Sequence, residues 1–315
     1  MNYKTSNPKK FTLLKIIRTF LLILGFLFIA ILISHSWEEI QHVLKETKPW
    51  LFVLSILCAF TGNLILSILF RNSLKKYGCE ITARMTNKLF FYGQIAKYVP
   101  GKIWSIVFQK SFIEKAGSTG AILFSNIDLM IVSVTINATI AFCLILFKIS
   151  FVCVLVMFVI GVTVCLIVTK SRYMYTVARF ILSKFRLFEK NPPLRQDTLS
   201  NTFIVLSYCA IWFFYLTAWF LVLSASFGLS IREATVYIAF LGLSWIVGIL
   251  AFFVPAGMGI REGAFIALAR YAGIDAPLET LAALAVITRL WLIIQEIGGA
   301  SIIFLRNLTK NPFRK

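Results

Sequence analysis

The sequence predicts an all-α polytopic membrane protein with about six full transmembrane helices and two re-entrant helical hairpins, arranged as an inverted repeat. Composition carries the first step: 59% of the 315 residues are hydrophobic and only 14% are charged, a balance that soluble globular domains do not have. The apolar residues form continuous runs of about 20, the length of a spanning helix, and not the short alternating segments of a β-barrel. Two of the apolar regions are then broken by proline and glycine, at Val99-Pro100-Gly101 and at Val254-Pro255-Ala256-Gly257. Irregular backbone at depth is tolerated only where protein or water covers it, so breaks of this kind point to a transport site. For the second break, the alternative is a surface turn between two helices.

The formal net charge of +19 raises nucleic acid as a partner. The lysines and arginines, however, fall in loops between apolar runs, where the positive-inside rule and anionic lipid account for them. No nucleic-acid partner is expected. Cys58, Cys79, Cys143, Cys153, Cys165 and Cys209 lie mostly inside apolar runs and form no Cys-x-x-Cys pair, which argues against a disulfide framework or a zinc site. His35 and His42 share one loop and have no acidic partner at metal-ligand spacing. No metal, cofactor or catalytic residue is expected.

The chain reads as one integral membrane domain, residues 1–315. Its opening part, 1–48, carries Lys4, Lys9, Lys10, Lys15 and Arg18 ahead of an apolar run from Thr19 to Ser34. No small-residue cleavage site follows, so the run is expected to be an uncleaved first span with its N-terminus inside. Trp37 to Lys48, with Glu38, Glu39 and Glu46, suits an outer loop holding a short interfacial helix. Repeat one, 49–147, begins with a span that opens on Pro49, a favoured helix start. A basic cytoplasmic loop with Arg71, Lys75, Lys76, Arg84 and Lys88 comes next. The broken region Leu89–Ala116 follows, and then a span from Gly120 to Phe147 bearing Asn126, Asp128 and Asn137. Residues 148–200 hold a linker span, Phe151–Thr169, joined to its predecessor by a short hairpin connection, and the main basic loop, Lys170–Arg195. Repeat two, 201–315, contains the span Asn201–Ser224, the broken segment Ile231–Gly273, the last span Pro277–Leu305 and a basic tail.

The two halves repeat one order: an apolar span, a break at Val-Pro-(Ala)-Gly, a helix leading to Ala-Gly (Ala116-Gly117 and Ala272-Gly273), and a long span with polar residues. If both broken segments enter and leave on one side, every strongly basic loop falls on the cytoplasmic side. The two hairpins then enter from opposite faces, which is an inverted-topology repeat with its site near the midplane.

A helix restarting after each break points free N–H groups and a positive dipole end at the hairpin tip. The breaks themselves are Pro100 and Gly101 in the first half and Pro255, Gly257 and Gly259 in the second. Lys102 and Arg261 sit at those restarts, and Arg289 adds a cation inside the last span, where a charge costs about 2.5 to 3.5 kcal/mol and so faces a cavity or a partner. Glu262, Glu296 and Asp128 are candidates to neutralise these cations in the empty site. Arg289 and Glu296, seven apart, share a helix face. Asp128 fits two roles equally, a structural partner for a lysine or a member of the site. Lys97, Lys110 and Lys115 read as interfacial lysines that reach for the head groups.

The segments Tyr98-Val99-Pro100-Gly101-Lys102-Ile103-Trp104 and Val254-Pro255-Ala256-Gly257-Met258-Gly259-Ile260-Arg261-Glu262-Gly263-Ala264, with Arg289 in the final helix, resemble the lysylphosphatidylglycerol-synthetase transmembrane-region family, the flippase-like integral membrane domain. The resemblance covers nearly the whole chain; Trp104 stands where a smaller residue is expected. It implies a multi-pass domain of the bacterial inner membrane, with both termini cytoplasmic, that moves or presents a lipid. Some family members are fused to a cytosolic aminoacyltransferase domain, and others accompany glycosyltransferases. The sequence shows no such domain before Lys315, so synthase activity is not expected. The leading expectation is a lipid translocase that holds the phosphate of an anionic phospholipid or polyprenyl phosphate between the two hairpins. The alternative is an enzyme or accessory subunit for aminoacyl-lipid or polyprenyl-phosphate glycolipid synthesis, with a glycosyltransferase or lipid-synthesis partner.

Overall fold

The computed structural model describes residues 27–98, 103–113, 118–147, 150–169, 175–176, 179–180, 199–251 and 254–308. The first break (Pro100, Gly101 and Lys102), Ala116-Gly117, the main basic loop over 181–198 and the start of the first span all lie outside these residues. Every regular element among those described is helical, and the protein is an all-α polytopic membrane protein. Five helices are long and apolar enough to cross a membrane: Pro49–Lys76, Thr119–Leu146, Asn201–Phe227, Ile231–Leu250 and Leu278–Arg306.

The chain is helical over 27–35 and then forms α1, Trp37–Glu46. Glu38 and Glu39 sit in the first turn of α1 and Lys45 in the last, each charge complementing the dipole end beside it. Its buried Ile40 and Val43 are three apart and face the bundle, while Trp37 and Leu44 are exposed. That is the amphipathic pattern of an interfacial helix. The long α2, Pro49–Lys76, has proline in its first turn and ends at Gly78, whose φ of 78° places it in the left-handed region that glycine adopts without a steric penalty.

Helix α3, Ala83–Ala96, is capped by Thr82 Oγ1, which accepts from the Met85 N–H at 3.3 Å. Helix α4, Ile103–Ser111, ends five residues before Ala116, because the chain tightens to i→i−3 bonds, with the Ile113 N–H donating to the Lys110 carbonyl at 2.9 Å. The helix leading to Ala116-Gly117 is therefore shorter than the repeat spacing predicts. Gln109 fastens α4 on both sides: it donates to the Leu89 carbonyl at 3.2 Å and accepts from Asn126 at 2.8 Å.

Helices α5, Ser118–Leu146, and α6, Phe151–Thr169, pack side by side as predicted. Phe151, Val152, Phe158 and Val159 on α6 are more than half exposed, which is a lipid-facing surface in this class of protein. Helix α7, Asn201–Phe227, makes the most extensive pairing in the bundle, with α2. Tyr215 of α7 lies on Gly62 and donates its hydroxyl proton to Asn63 Oδ1 at 2.9 Å. Ala59 and Ala218, both fully buried, let these backbones approach, as small residues do between membrane helices.

Helix α8, Ile231–Leu250, starts with a capping box between Ser230 and Glu233 and is tied to α5 by the Asn137 amide, which donates to the Gly242 carbonyl at 3.1 Å. After the break, α9, Ile260–Tyr271, runs back along α8. The first arm of this second hairpin has the length and apolarity of a full crossing, longer than a half-depth arm requires. The turn that follows it nevertheless meets the last helix, α10, Leu278–Leu308, through the Ala256 carbonyl at Arg289, eleven residues into α10, or about 16 Å along its axis. The tip therefore ends against the middle third of α10 and not at its end.

Helix α10 also packs against α3. Three contacts fix the pair as antiparallel: Lys97 with Glu296, Phe91 against Gly299, and Arg84 and Asn87 beside Ile303 and Arg306. Both broken regions thus converge on one helix.

Candidate functional site

The site grows out of the second break. Ala256 at φ 49°, Gly257 at 66° and Gly259 at 80° take the chain through the left-handed region three times in four residues. A Cβ on Gly257 would lie 2.8 Å from the Gly248 Cα, so glycine is required there twice over, by conformation and by contact. This tight passage turns the Ala256 carbonyl toward α10. Glu262, three residues on, closes a capping arrangement in which Oε2 accepts the Gly259 N–H at 2.7 Å.

Arg289 of α10 reaches this tip. Its Nη1 donates to the Ala256 carbonyl at 3.1 Å and lies 3.5 Å from Glu262 Oε1, an ion pair that is not aligned as a hydrogen bond. The remaining edge of the guanidinium, Nε and Nη2, is buried and has no hydrogen-bond partner among the described residues. These two nitrogens form the side-on fork that arginine uses to grip a carboxylate or phosphate with two parallel bonds.

Two aromatic rings complete the electrostatics. The Arg289 guanidinium lies 5.5 Å from the centre of the Tyr98 ring, and Lys97 Nζ lies 5.5 Å from the same ring. Arg261, at 8% exposure, stands 5.9 Å from the Trp219 ring, which in turn packs on Trp291 at 4.8 Å. Trp291 is anchored by its indole N–H, which donates to Ser55 Oγ at 2.8 Å. Such contacts stabilise a desolvated cation without neutralising it. Lys97 also pairs with Glu296 of α10, whose carboxylate lies buried beside Tyr98.

The structure therefore brings together Arg261, Glu262, Arg289 and Glu296 from the residues the sequence selects, and adds Lys97, Tyr98 and Trp219. Lys97 is a correction: its ammonium turns inward to a carboxylate and does not reach for head groups. An intramembrane glutamate such as Glu296 requires a cation, and a lysine two residues before a Val-Pro-Gly break was the available signal. Pro255 and Gly257 form the turn itself, and Gly259 its last residue. Lys102 lies outside the described residues, so its place relative to the cluster is not stated.

Asp128 belongs elsewhere. It accepts from Tyr77 at 2.8 Å, Ser73 at 3.1 Å and Lys76 at 3.2 Å, all near the end of α2. Lys76 is 5% exposed and also lies 5.3 Å from the Tyr77 ring. This is a satisfied buried ion pair that joins α5 to α2, and its donors leave the carboxylate little capacity for a ligand.

The cavity enclosed by Ser244, Arg261, Glu262, Thr288 and Arg289 is about 10 Å³, room for roughly one water. A group larger than a water would fit there only if the hairpin tip and α10 separated. Among the described residues, no group of histidines, cysteines and carboxylates is placed to hold a metal ion.

A helical bundle with spanning-length apolar helices, lipid-exposed flanks and buried ionic side chains defines an integral membrane protein. Residues 16–294 match the family described as the lysylphosphatidylglycerol synthase TM region, and the chain belongs to that family. The sequence matches none of the curated proteins compared with it.

Proposed function

We propose that the chain is a lipid translocase of the flippase type, which binds an anionic phospholipid or lipid-phosphate head group between its two broken hairpins. The observation that carries this reading is the Nε and Nη2 edge of Arg289, which has no hydrogen-bond partner among the described residues and lies beside a glycine-rich helix restart, a donor set whose natural complement is an oxyanion. Among the described residues the cluster holds three cations, Lys97, Arg261 and Arg289, against two carboxylates, Glu262 and Glu296. An anion neutralises the surplus.

In this reading the head group takes the fork of Arg289, and Lys102 contributes from the first break. The Glu262 carboxylate, already 3.5 Å from Arg289, stands in the anion's place while the site is empty. Acyl chains remain in the bilayer. The two hairpins form an inverted repeat and open in turn to opposite faces. The protein lies in a bacterial inner membrane with both termini in the cytoplasm, and no catalytic group is assigned to it. A second reading, an enzymatic or accessory role in aminoacyl-lipid or polyprenyl-phosphate glycolipid synthesis, is favoured only by the word synthase in the family description.

The test is reconstitution of the purified chain into liposomes carrying labelled phosphatidylglycerol or labelled phosphatidylcholine. Label of the anionic lipid should become accessible on the second leaflet faster than in protein-free vesicles. Transfer no faster than in protein-free vesicles, for phosphatidylglycerol and for a polyprenyl phosphate alike, would overturn the translocase reading.

A further inference from the structure

Arg261 is held differently from Arg289, although both line the gap at the hairpin tip. The two carboxylates of the cluster are already engaged, Glu262 with the Gly259 N–H and Arg289, and Glu296 with Lys97. The Arg261 guanidinium lies instead 5.9 Å from the centre of the Trp219 ring. The root of this side chain sits close against α8: a Cβ on Gly248 would lie 3.3 Å from the Arg261 Cβ. A carboxylate at Arg261 would cancel its charge, whereas a ring face attracts the cation and leaves that charge for a ligand.

The ring that holds Arg261 is itself fixed from two other helices. Trp219 of α7 packs on Trp291 of α10, 4.8 Å between centres, and Trp291 is fully buried. The Trp291 indole N–H donates to Ser55 Oγ of α2 at 2.8 Å, and the Ser55 hydroxyl donates to the Phe52 carbonyl at 2.6 Å. Trp291 follows Arg289 by two residues, about 200° around the helix, so the two side chains leave α10 on nearly opposite sides. Helix α10 thus supplies one guanidinium of the cluster itself and supports the other through two stacked tryptophans.

We propose that Trp219 and Trp291 are positioning residues for anion recognition: the Ser55–Trp291–Trp219 stack holds Arg261 as an un-neutralised cation beside Arg289 and so sets a preference for a head group of net negative charge over a zwitterionic one. This role rests on the lipid-binding reading of the cluster. Neither tryptophan has to touch lipid. Without the ring, Arg261 turns away from Arg289, whose like charge repels it, and the site loses one of its two adjacent cations.

The full chain in neutral detergent is incubated with equal amounts of phosphatidylglycerol and phosphatidylcholine, and retained lipid is counted by native mass spectrometry, a readout that needs no transfer. Wild type should retain phosphatidylglycerol in preference. Trp219→Leu should reduce that preference about threefold to thirtyfold, the span of a cation–π contact. Trp219→Phe, which keeps a ring, should restore much of it. Ser55→Ala, a smaller change that removes the anchor of Trp291, should lower the preference in the same direction. In an Arg261→Gln background, Trp219→Leu should add no further loss. Phe213→Leu, on the exposed side of α7, should match wild type, and melting temperatures identify the folded variants. Unaltered preference in folded Ser55→Ala and Trp219→Leu protein would overturn the assignment. Equal losses for Trp219→Leu and Trp219→Phe, a further loss in the Arg261→Gln background, or no preference in wild type would do so too. Wild type that prefers phosphatidylglycerol here yet transfers none in liposomes would overturn the translocase proposal alone, so the two failures are distinguishable.

Discussion

The Lys97 ammonium is paired with the Glu296 carboxylate across 199 residues of sequence, and this pair binds the last turn of α3 to the middle of α10. On the same helix, two turns earlier, Arg289 holds the tip of the second hairpin through the Ala256 carbonyl. One helix therefore carries a polar tether to each broken region. Movement of either hairpin away from α10 would break one of these contacts.

Removing one member of the Lys97–Glu296 pair should destabilise the fold more than removing both. Glu296→Gln is expected to cost about 1 to 3 kcal/mol, below the range for a fully buried pair because the Lys97 side chain is 36% exposed. A thermal-unfolding double-mutant cycle with Lys97→Gln measures the coupling. A coupling of zero would show that the two groups are independent.

The Asp128 cluster yields a different outcome. Asp128→Asn leaves Lys76 buried at 5% exposure without its carboxylate, and is expected to cost about 3 to 5 kcal/mol. Lys76→Met with Asp128→Leu should recover most of that loss, and lipid transfer per folded molecule should match wild type. Persistent loss of transfer in the well-folded double variant would return Asp128 to the functional site.

At the hairpin tip, Gly257→Ala should lower the melting temperature. Its φ of 66° and the 2.8 Å approach to Gly248 together combine a left-handed penalty of about 1 to 2 kcal/mol with a backbone clash. An unchanged melting temperature would mean that the tip relaxes freely.

Topology is open to cysteine labelling in a cysteine-free background. Single cysteines at Glu39 and Asp275 should react with an impermeant reagent from outside, and those at Arg84 and Lys310 should not. Arg84 is a better probe than Lys76, which is buried and ion-paired. External labelling at Lys310 would contradict cytoplasmic termini and with them the opposed entry of the two hairpins.

The spanning helices were legible because runs of about 20 apolar residues have few alternatives, and α2, α5, α7 and α10 fall where those runs lie. The second break was legible for the same reason: proline and glycine inside apolar sequence have to be accommodated by backbone geometry, and Gly257 and Gly259 adopt the positive φ that the pattern demands. Pairings were not legible. Asp128 finds Lys76 52 residues away and Lys97 finds Glu296 199 residues away, and sequence spacing carries no information about contacts between helices. Ala116-Gly117 reads as a helix end by its likeness to Ala272-Gly273, whereas α4 ends at Ser111, where i→i−3 bonds take over. Tyr98 and Trp219 escaped notice as site residues, since aromatic rings are abundant in membrane helices and only their position over a cation distinguishes them.

Recognition of an anionic head group is proposed for the Arg289 edge that has no hydrogen-bond partner among the described residues. Its most direct test is lipid transfer per folded molecule in liposomes for wild type and Arg289→Gln, with phosphatidylglycerol and phosphatidylcholine compared side by side. Charge-assisted hydrogen bonds are worth about 1.5 to 3 kcal/mol, so apparent affinity for the anionic lipid should fall roughly tenfold to a hundredfold, while the zwitterionic lipid is little affected. Arg289→Lys should recover little, because a lysine offers no fork. Undiminished transfer of phosphatidylglycerol by well-folded Arg289→Gln protein would contradict the account.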